Sequence, residues 1–280
     1  MRLVSYDSDR GPRAGLLRAD RVVDVWDALG GADDATLDAL LHAGRLDEAA
    51  SIESGDGGVA LAEARLLPPV ADPDKIICIG MNYEKHARES GSDPPETPTF
   101  FPKWRNCLSA PGAEVELLRL SKMLDYEAEV AVVIGRRCKG VPESDALSVI
   151  AGYTLLNDLS ARDLQRATPQ WGPGKVWDAS APMGPALVTP DEAGPPDAID
   201  IGLELNGETV QHSNTRDLVH SIPVLVAYVS SIMTLEPGDI ISTGTPEGVA
   251  MGRTPPNWLQ PGDTTVVFSE QLGRLETTLT

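Results

Sequence analysis

Cysteine is scarce. Cys78, Cys107 and Cys138 are widely spaced and form no CxxC, which argues against both a disulfide framework and a zinc knuckle. They are expected to be plain buried thiols. Long apolar runs are also missing: no stretch reaches the 18 or so residues of a membrane span. The start, Met1-Arg2-Leu3-Val4-Ser5-Tyr6-Asp7, lacks the apolar segment of a signal peptide, so a cytoplasmic protein with no membrane partner is expected. Basic residues are the third shortage. Twenty-three Lys and Arg face 42 Asp and Glu, a formal net charge of −19, and such a field repels phosphate backbones. No nucleic-acid partner is expected, and an anionic small substrate would need a local cation, whether Lys, Arg or metal.

What is present is the composition of a folded globular chain, 41% apolar and 23% charged over 280 residues. The length exceeds the usual domain size of about 100 to 150 residues. A glycine-rich break, Ser54-Gly55-Asp56-Gly57-Gly58, and a proline stretch, Leu67-Pro68-Pro69-Val70-Ala71-Asp72-Pro73, predict a small N-terminal α+β domain at 1–70 and a larger domain at 71–280. In the larger one, a short buried strand at 75–79 leads into a polar helix at 82–90 and a long proline-bearing loop at 91–112, of the kind that covers a site. Strands are predicted at 127–135, 151–157, 186–189 and 239–243. Hairpins join 199–205 to 208–213 through Asn206-Gly207, and 264–269 to 274–279. An amphipathic helix at 222–233 carries Pro223 near its first turn. The fold class is α+β, β-rich, with a strongly curved or closed sheet.

Period-two alternation in Asp125-Tyr126-Glu127-Ala128-Glu129-Val130-Ala131-Val132-Val133-Ile134 puts Glu127, Glu129, Ala131 and Val133 on one face, and Ala128, Val130, Val132 and Ile134 on the other. Both faces are apolar toward the C-terminal end, so the strand belongs inside the fold. Two carboxylates about 7 Å apart there repel each other and lose hydration unless a cation compensates. Asn157-Asp158 delivers a third carboxylate at the end of the next strand. An all-oxygen set favours Mg²⁺, Mn²⁺ or Ca²⁺ over zinc and leaves about three positions for water and substrate. Taken alone, a Glu-x-Glu is more often a solvated edge and Asp158 a helix N-cap.

These residues, together with Asn157-Asp158-Leu159-Ser160-Ala161-Arg162-Asp163-Leu164-Gln165, Gly174-Lys175, Pro182-Met183-Gly184-Pro185 and Ser242-Thr243-Gly244-Thr245-Pro246-Glu247-Gly248-Val249, stand in the order found in the fumarylacetoacetate hydrolase family. The chain resembles that family from about residue 74 to its end, and its N-terminal unit is similar to the small domain many members carry. The resemblance implies a mixed β-roll catalytic domain, commonly assembled into homodimers. It implies that Glu127, Glu129 and Asp158 bind the metal, commonly Mg²⁺ or Mn²⁺. Arg162, Gln165, Lys175 and Thr245 match positions that hold substrate oxygens, with Lys175 at the reacting end. Asn82-Tyr83-Glu84-Lys85-His86-Ala87-Arg88-Glu89 matches the lid segment whose His86 and Glu89 activate water in hydrolytic members.

Each of these residues also has an ordinary reading: a surface ion pair for His86 and Glu89, a solvated loop lysine for Lys175, a salt bridge to Asp163 or Asp158 for Arg162, turn chemistry for Thr245. The segment after Phe100-Phe101-Pro102-Lys103 departs from the family pattern, and Trp104 with Arg105 is expected to reshape the far end of the pocket. The leading expectation is a divalent-metal-dependent hydrolase that cleaves a C–C bond of a 1,3-dicarbonyl such as an acylpyruvate or a fumarylpyruvate-like acid. An oxo-acid decarboxylase, of oxaloacetate type, or a keto–enol isomerase on the same centre is the second. A metal-stabilised binding protein without turnover is the third.

Overall fold

The computed structural model describes residues 1–52 and 58–280; residues 54–57 of the glycine-rich break lie outside them. Thirteen strands carry the argument: β1 (Arg2–Ser8), β2 (Gly11–Arg18), β3 (Arg21–Asp24), β4 (Ile76–Gly80), β5 (Thr99–Lys103), β6 (Ala128–Ile134), β7 (Ile150–Asn157), β8 (Ala181–Val188), β9 (Asp200–Leu205), β10 (Glu208–Asn214), β11 (Ile240–Ser242), β12 (Thr264–Ser269) and β13 (Gly273–Leu279). A large sheet runs β3-β2-β1-β8-β7-β6-β11-β4-β5, and a smaller one runs β10-β9-β12-β13 and then Glu114–Val115. Neighbours along the main path of the large sheet are antiparallel apart from β11 and β4. The fold is α+β and β-rich, as its alternation patterns predict.

β6 shows why. Every residue from Ala128 to Ile134 is buried. Ala128, Val130, Val132 and Ile134 join the cluster that holds Ile201, Leu203, Val267 and Leu275 of the small sheet. Ala131 and Val133 face the other way, into a cluster with Leu3, Leu16, Leu187 and the helix Leu37–His42. The N-terminal strands reach that cluster because β1 pairs with β8, Arg2 opposite Val188. Burial of both faces makes β6 a fixed rod, and register does the rest: Ala128 lies opposite Asn157 on one side and Ala131 opposite Ser242 on the other.

Two expectations need correction. The proline-bearing stretch 91–112 is not all loop, since β5 pairs along the whole length of β4. Proline cannot donate to a ladder, and Pro102 is tolerated because β5 is an edge strand. The strand expected at 186–189 starts at Ala181. The register breaks between Tyr153 and Leu155 on the facing strand, and that irregularity accommodates Pro185, while Pro182 precedes Met183, the first residue paired with that strand. The Asn206-Gly207 hairpin is present, with φ of 52° and 83° at the two turn residues, as a primed turn requires. No helix is long and apolar enough to cross a membrane, among the described residues.

Candidate active site

The ends of β6, β7, β11 and β5 converge on one spot. Glu127 precedes β6 and Asp158 follows β7, and the Asp158 N–H donates to the Glu127 carbonyl at 2.9 Å, locking the two strand ends together. Carboxylate oxygens of Glu127, Glu129 and Asp158 lie within 4.8 Å of one another, and all three residues are buried. Lys175 Nζ bridges Glu127 Oε2 and Asp158 Oδ2, at 2.7 Å each. Lys103 Nζ donates to Asp158 Oδ1 at 2.7 Å and to the Lys175 carbonyl. Arg162 Nε donates to Asp125 Oδ2 at 2.8 Å, while its Nη2 approaches Glu127 Oε1 at 2.7 Å without hydrogen-bond alignment.

Four carboxylates, with Asp125, thus face three basic side chains. Glu129 is the one left without a cation; the Ser242 hydroxyl and, at 3.1 Å, the Gly244 N–H donate to its Oε2. Burial, then the nearby Asp158 and Glu127 charges, push its carboxyl up to about 8. Burial acts the same way on Glu127, but there Lys175 and Arg162 outweigh it and hold the group well below the ordinary carboxylate range. For Lys175, burial opposes the ammonium, and Asp158 and Glu127 more than restore it. A buried all-oxygen triad with one uncompensated member is what a hard divalent cation fits.

A cavity of about 80 Å³ opens above the triad. Glu127, Glu129, Lys175, His86, Arg162, Gln165 and Thr245 all line it, so the structure brings these sequence-derived candidates to one place. Asp158 and Glu89 stand behind its wall, each joined to a lining residue. Their surroundings refine the expectations. The Arg162 fork is engaged with Asp125 and, through Nη1 at 3.0 Å, with Gln165 Oε1, not with Asp158 or Asp163. The Thr245 hydroxyl oxygen accepts from Gln211 Nε2 at 3.0 Å, which leaves its O–H free to donate. Trp104 is 59% exposed and Arg105 pairs with Asp72 at the surface, so neither shapes the pocket. The aromatic wall is Phe101 against Trp171, ring centroids 5.5 Å apart.

Three residues of the cluster escaped the sequence reading, and each had a signal. Asp125 shares the Glu127 and Glu129 alternation. Lys103 shares the face of Phe101 on β5, both buried. Ser242 opens the segment Ser242–Val249, three residues before Thr245.

His86 lies on the helix Glu84–Glu89, buried, with Nδ1 3.4 Å from Glu89 Oε2. The Gly248 N–H donates to both Glu89 oxygens, at 3.1 and 3.3 Å. Asn82 anchors the helix entry through Thr243 and His220, so movement of this segment would break those bonds. A Cβ added at Gly252 would coincide with the Glu89 carboxylate. Gly252→Ala is therefore expected to push Glu89 off Gly248 and His86, lowering turnover about tenfold while the melting temperature stays near wild type, because a flexible side-chain end gives way more cheaply than backbone. Steady-state kinetics beside a thermal melt checks this.

The sequence model described as fumarylacetoacetate (FAA) hydrolase C-terminal matches residues 75–280. The chain belongs to the fumarylacetoacetate hydrolase family. The bovine mitochondrial oxaloacetate tautomerase FAHD2A is 43% identical over 214 residues, 76% of this chain and 68% of that protein. The maleylpyruvate hydrolase of Sphingobium sp. SYK-6, solved with manganese(II) and pyruvate, superposes with a TM-score of 0.82 at 32% identity over 100% of this chain and 99% of that one. A 5-carboxymethyl-2-hydroxymuconate delta-isomerase from Mycobacterium smegmatis does so at 0.81 and 32%, over the same shares of each chain. Members of the family similar to this chain thus include a hydrolase, an isomerase and a tautomerase.

Proposed function

We propose that this family member is a divalent-metal-dependent enzyme that cleaves a C–C bond in a small 1,3-dicarbonyl acid of the acylpyruvate type. The observation that carries this is the buried Glu127, Glu129 and Asp158 triad facing His86 and its partner Glu89 across one cavity. Bound Mg²⁺ or Mn²⁺ would supply Lewis-acid polarisation of the substrate's keto oxygens. The rest falls to the chain's own groups. His86 presents Nδ1 to Glu89, which leaves Nε2 to take a proton from water. The water oxygen bonds to the distal carbonyl carbon, and the bond from that carbon to the central one breaks. Its electron pair passes to the keto-acid fragment as an enolate, which then takes up a proton. Lys175 and the Thr245 hydroxyl face the charge that develops.

Keto–enol tautomerisation on the same centre is the second reading, favoured by the 43% identity to an oxaloacetate tautomerase. Association as a homodimer belongs to the proposal as well; Leu120 and Met123, 80% and 43% exposed, offer a second copy an apolar surface. The deciding experiment follows enol absorbance of acylpyruvates and oxaloacetate with Mg²⁺, Mn²⁺ or EDTA and identifies products by chromatography. Keto acid plus carboxylic acid, lost with EDTA, is the expected result. Isomerised but uncleaved substrate would select the second reading.

Lys175→Met should lower turnover by about 10²-fold, the effect of removing one preorganised oxyanion donor. The fold is affected as well, because this ammonium neutralises Glu127 and Asp158. Breaking such a buried pair costs about 3–5 kcal/mol, so the metal-free variant should melt well below wild type and recover when Mn²⁺ is added. Wild-type rates in this variant would remove Lys175 from the reaction.

A further inference from the structure

Among the basic side chains that line the cavity, one is uncommitted. Lys175 is taken by Glu127 and Asp158, Arg162 by Asp125, Glu127 and Gln165, and His86 by Glu89. Arg166 lines the same cavity, and among the described residues no side chain or carbonyl accepts a hydrogen bond from its guanidinium or pairs with it. Its backbone is fixed: it caps the helix Arg162–Gln165, its N–H donating to the Arg162 carbonyl at 3.1 Å. The adjacent acid, Asp163, does not recruit it. Asp163 Oδ1 already accepts from the Ser121 hydroxyl and the Leu164 N–H, and Oδ2 from the Lys122 N–H.

We propose that Arg166 reads a second carboxylate on the substrate, so that the site prefers short oxo-dicarboxylates to oxo-monocarboxylates. The inference rests on the metal-dependent oxo-acid reading above and names the substrate class within it. Three features converge on this assignment. A cavity of about 80 Å³ accommodates the keto-acid end and leaves the far end of a short acid at its mouth. Trp171 narrows it, lying so close over Gly80, another lining residue, that a Cβ there would come within 2.8 Å of the ring's Cη2. A molecule with a net charge of −19 repels a dianion, so a guanidinium free of any protein carboxylate reverses the field where the dianion enters. Guanidinium is also the group whose planar fork matches a carboxylate bidentately.

The test uses full-length enzyme loaded with Mn²⁺, with oxaloacetate as the dicarboxylate and acetylpyruvate as the monocarboxylate. Arg166→Gln should raise KM for oxaloacetate at least about tenfold, the scale of one charged hydrogen-bonded pair, with kcat within about twofold and the acetylpyruvate constants unchanged. Arg166→Lys should recover part of the loss by restoring charge without the fork. Equal effects on both acids, or none on oxaloacetate, would overturn the assignment. Should the wild-type enzyme turn over neither acid, the parent reading fails by itself. Calorimetric binding of the two acids to Mn²⁺-loaded wild type and Arg166→Gln then still decides the role of Arg166: a fall in the oxaloacetate-to-acetylpyruvate affinity ratio supports it, and an unchanged ratio overturns it.

Discussion

Glu129→Gln is expected to abolish metal binding and turnover together while the metal-free fold survives. Burial and the Asp158 and Glu127 charges push the metal-free Glu129 carboxyl up to about 8, which favours its protonated form. Gln has the shape and polarity of that protonated form, and its carbonyl still accepts from Ser242 and Gly244. Nothing in the metal-free packing is therefore lost. A divalent ion is another matter, since it needs the anion, and a neutral amide at one of three oxygen ligands is expected to weaken binding by at least about 10²-fold, beyond the 10–100-fold typical of groups one step further out. Calorimetric titration with Mn²⁺ and a circular-dichroism melt of the same preparation read both halves. Full metal occupancy at ordinary concentrations would show that Glu129 is not a ligand; a collapsed melt would show that its role in the metal-free fold is larger than this balance of charges allows.

How far the sequence discloses this centre depends on how local each signal is. The two faces of β6 follow from side-chain period alone, and both turn out to be covered, by different layers. Glu127, Glu129 and Asp158 were legible for the same reason: each sits at the end of a strand whose pattern is visible. Lys103 was not, because its partner Asp158 is 55 residues away and the connection runs through an edge strand disguised by Pro98 and Pro102. Nor was the pairing of Arg162 with Asp125, across 37 residues. The first pair is set by the order of strands in the large sheet, β7-β6-β11-β4-β5, and the second by a separate ladder that pairs Leu124–Asp125 with Ser160–Ala161; both are properties of the packed layers, not of any one segment. The same non-locality explains Glu89, whose helical spacing to His86 could be read, whereas its anchor on the Gly248 N–H could not.

Replacing His86 or Glu89 should separate the reactions that share this centre. Water attack on a carbonyl needs a base, and tautomerisation moves a proton between carbon and oxygen, so both depend on a positioned proton acceptor. Decarboxylation of an oxo-acid needs only an electron sink, which the ion supplies when bound. His86 is the cavity-lining imidazole, and its Nδ1 is turned toward Glu89, which Gly248 in turn holds. His86→Ala is accordingly expected to cut acylpyruvate cleavage by at least about 10²-fold, the lower end for a general base, and to slow any tautomerisation, while metal-driven loss of CO₂ from oxaloacetate is largely retained. Glu89→Ala should follow the same pattern, since an imidazole without its partner loses both orientation and support for the imidazolium. Assaying the three reactions side by side on each variant makes the outcomes distinct. Equal loss of all three would assign the pair a structural part in holding the helix Glu84–Glu89 over the site, and no loss of any would return it to an ordinary ion pair on a short helix.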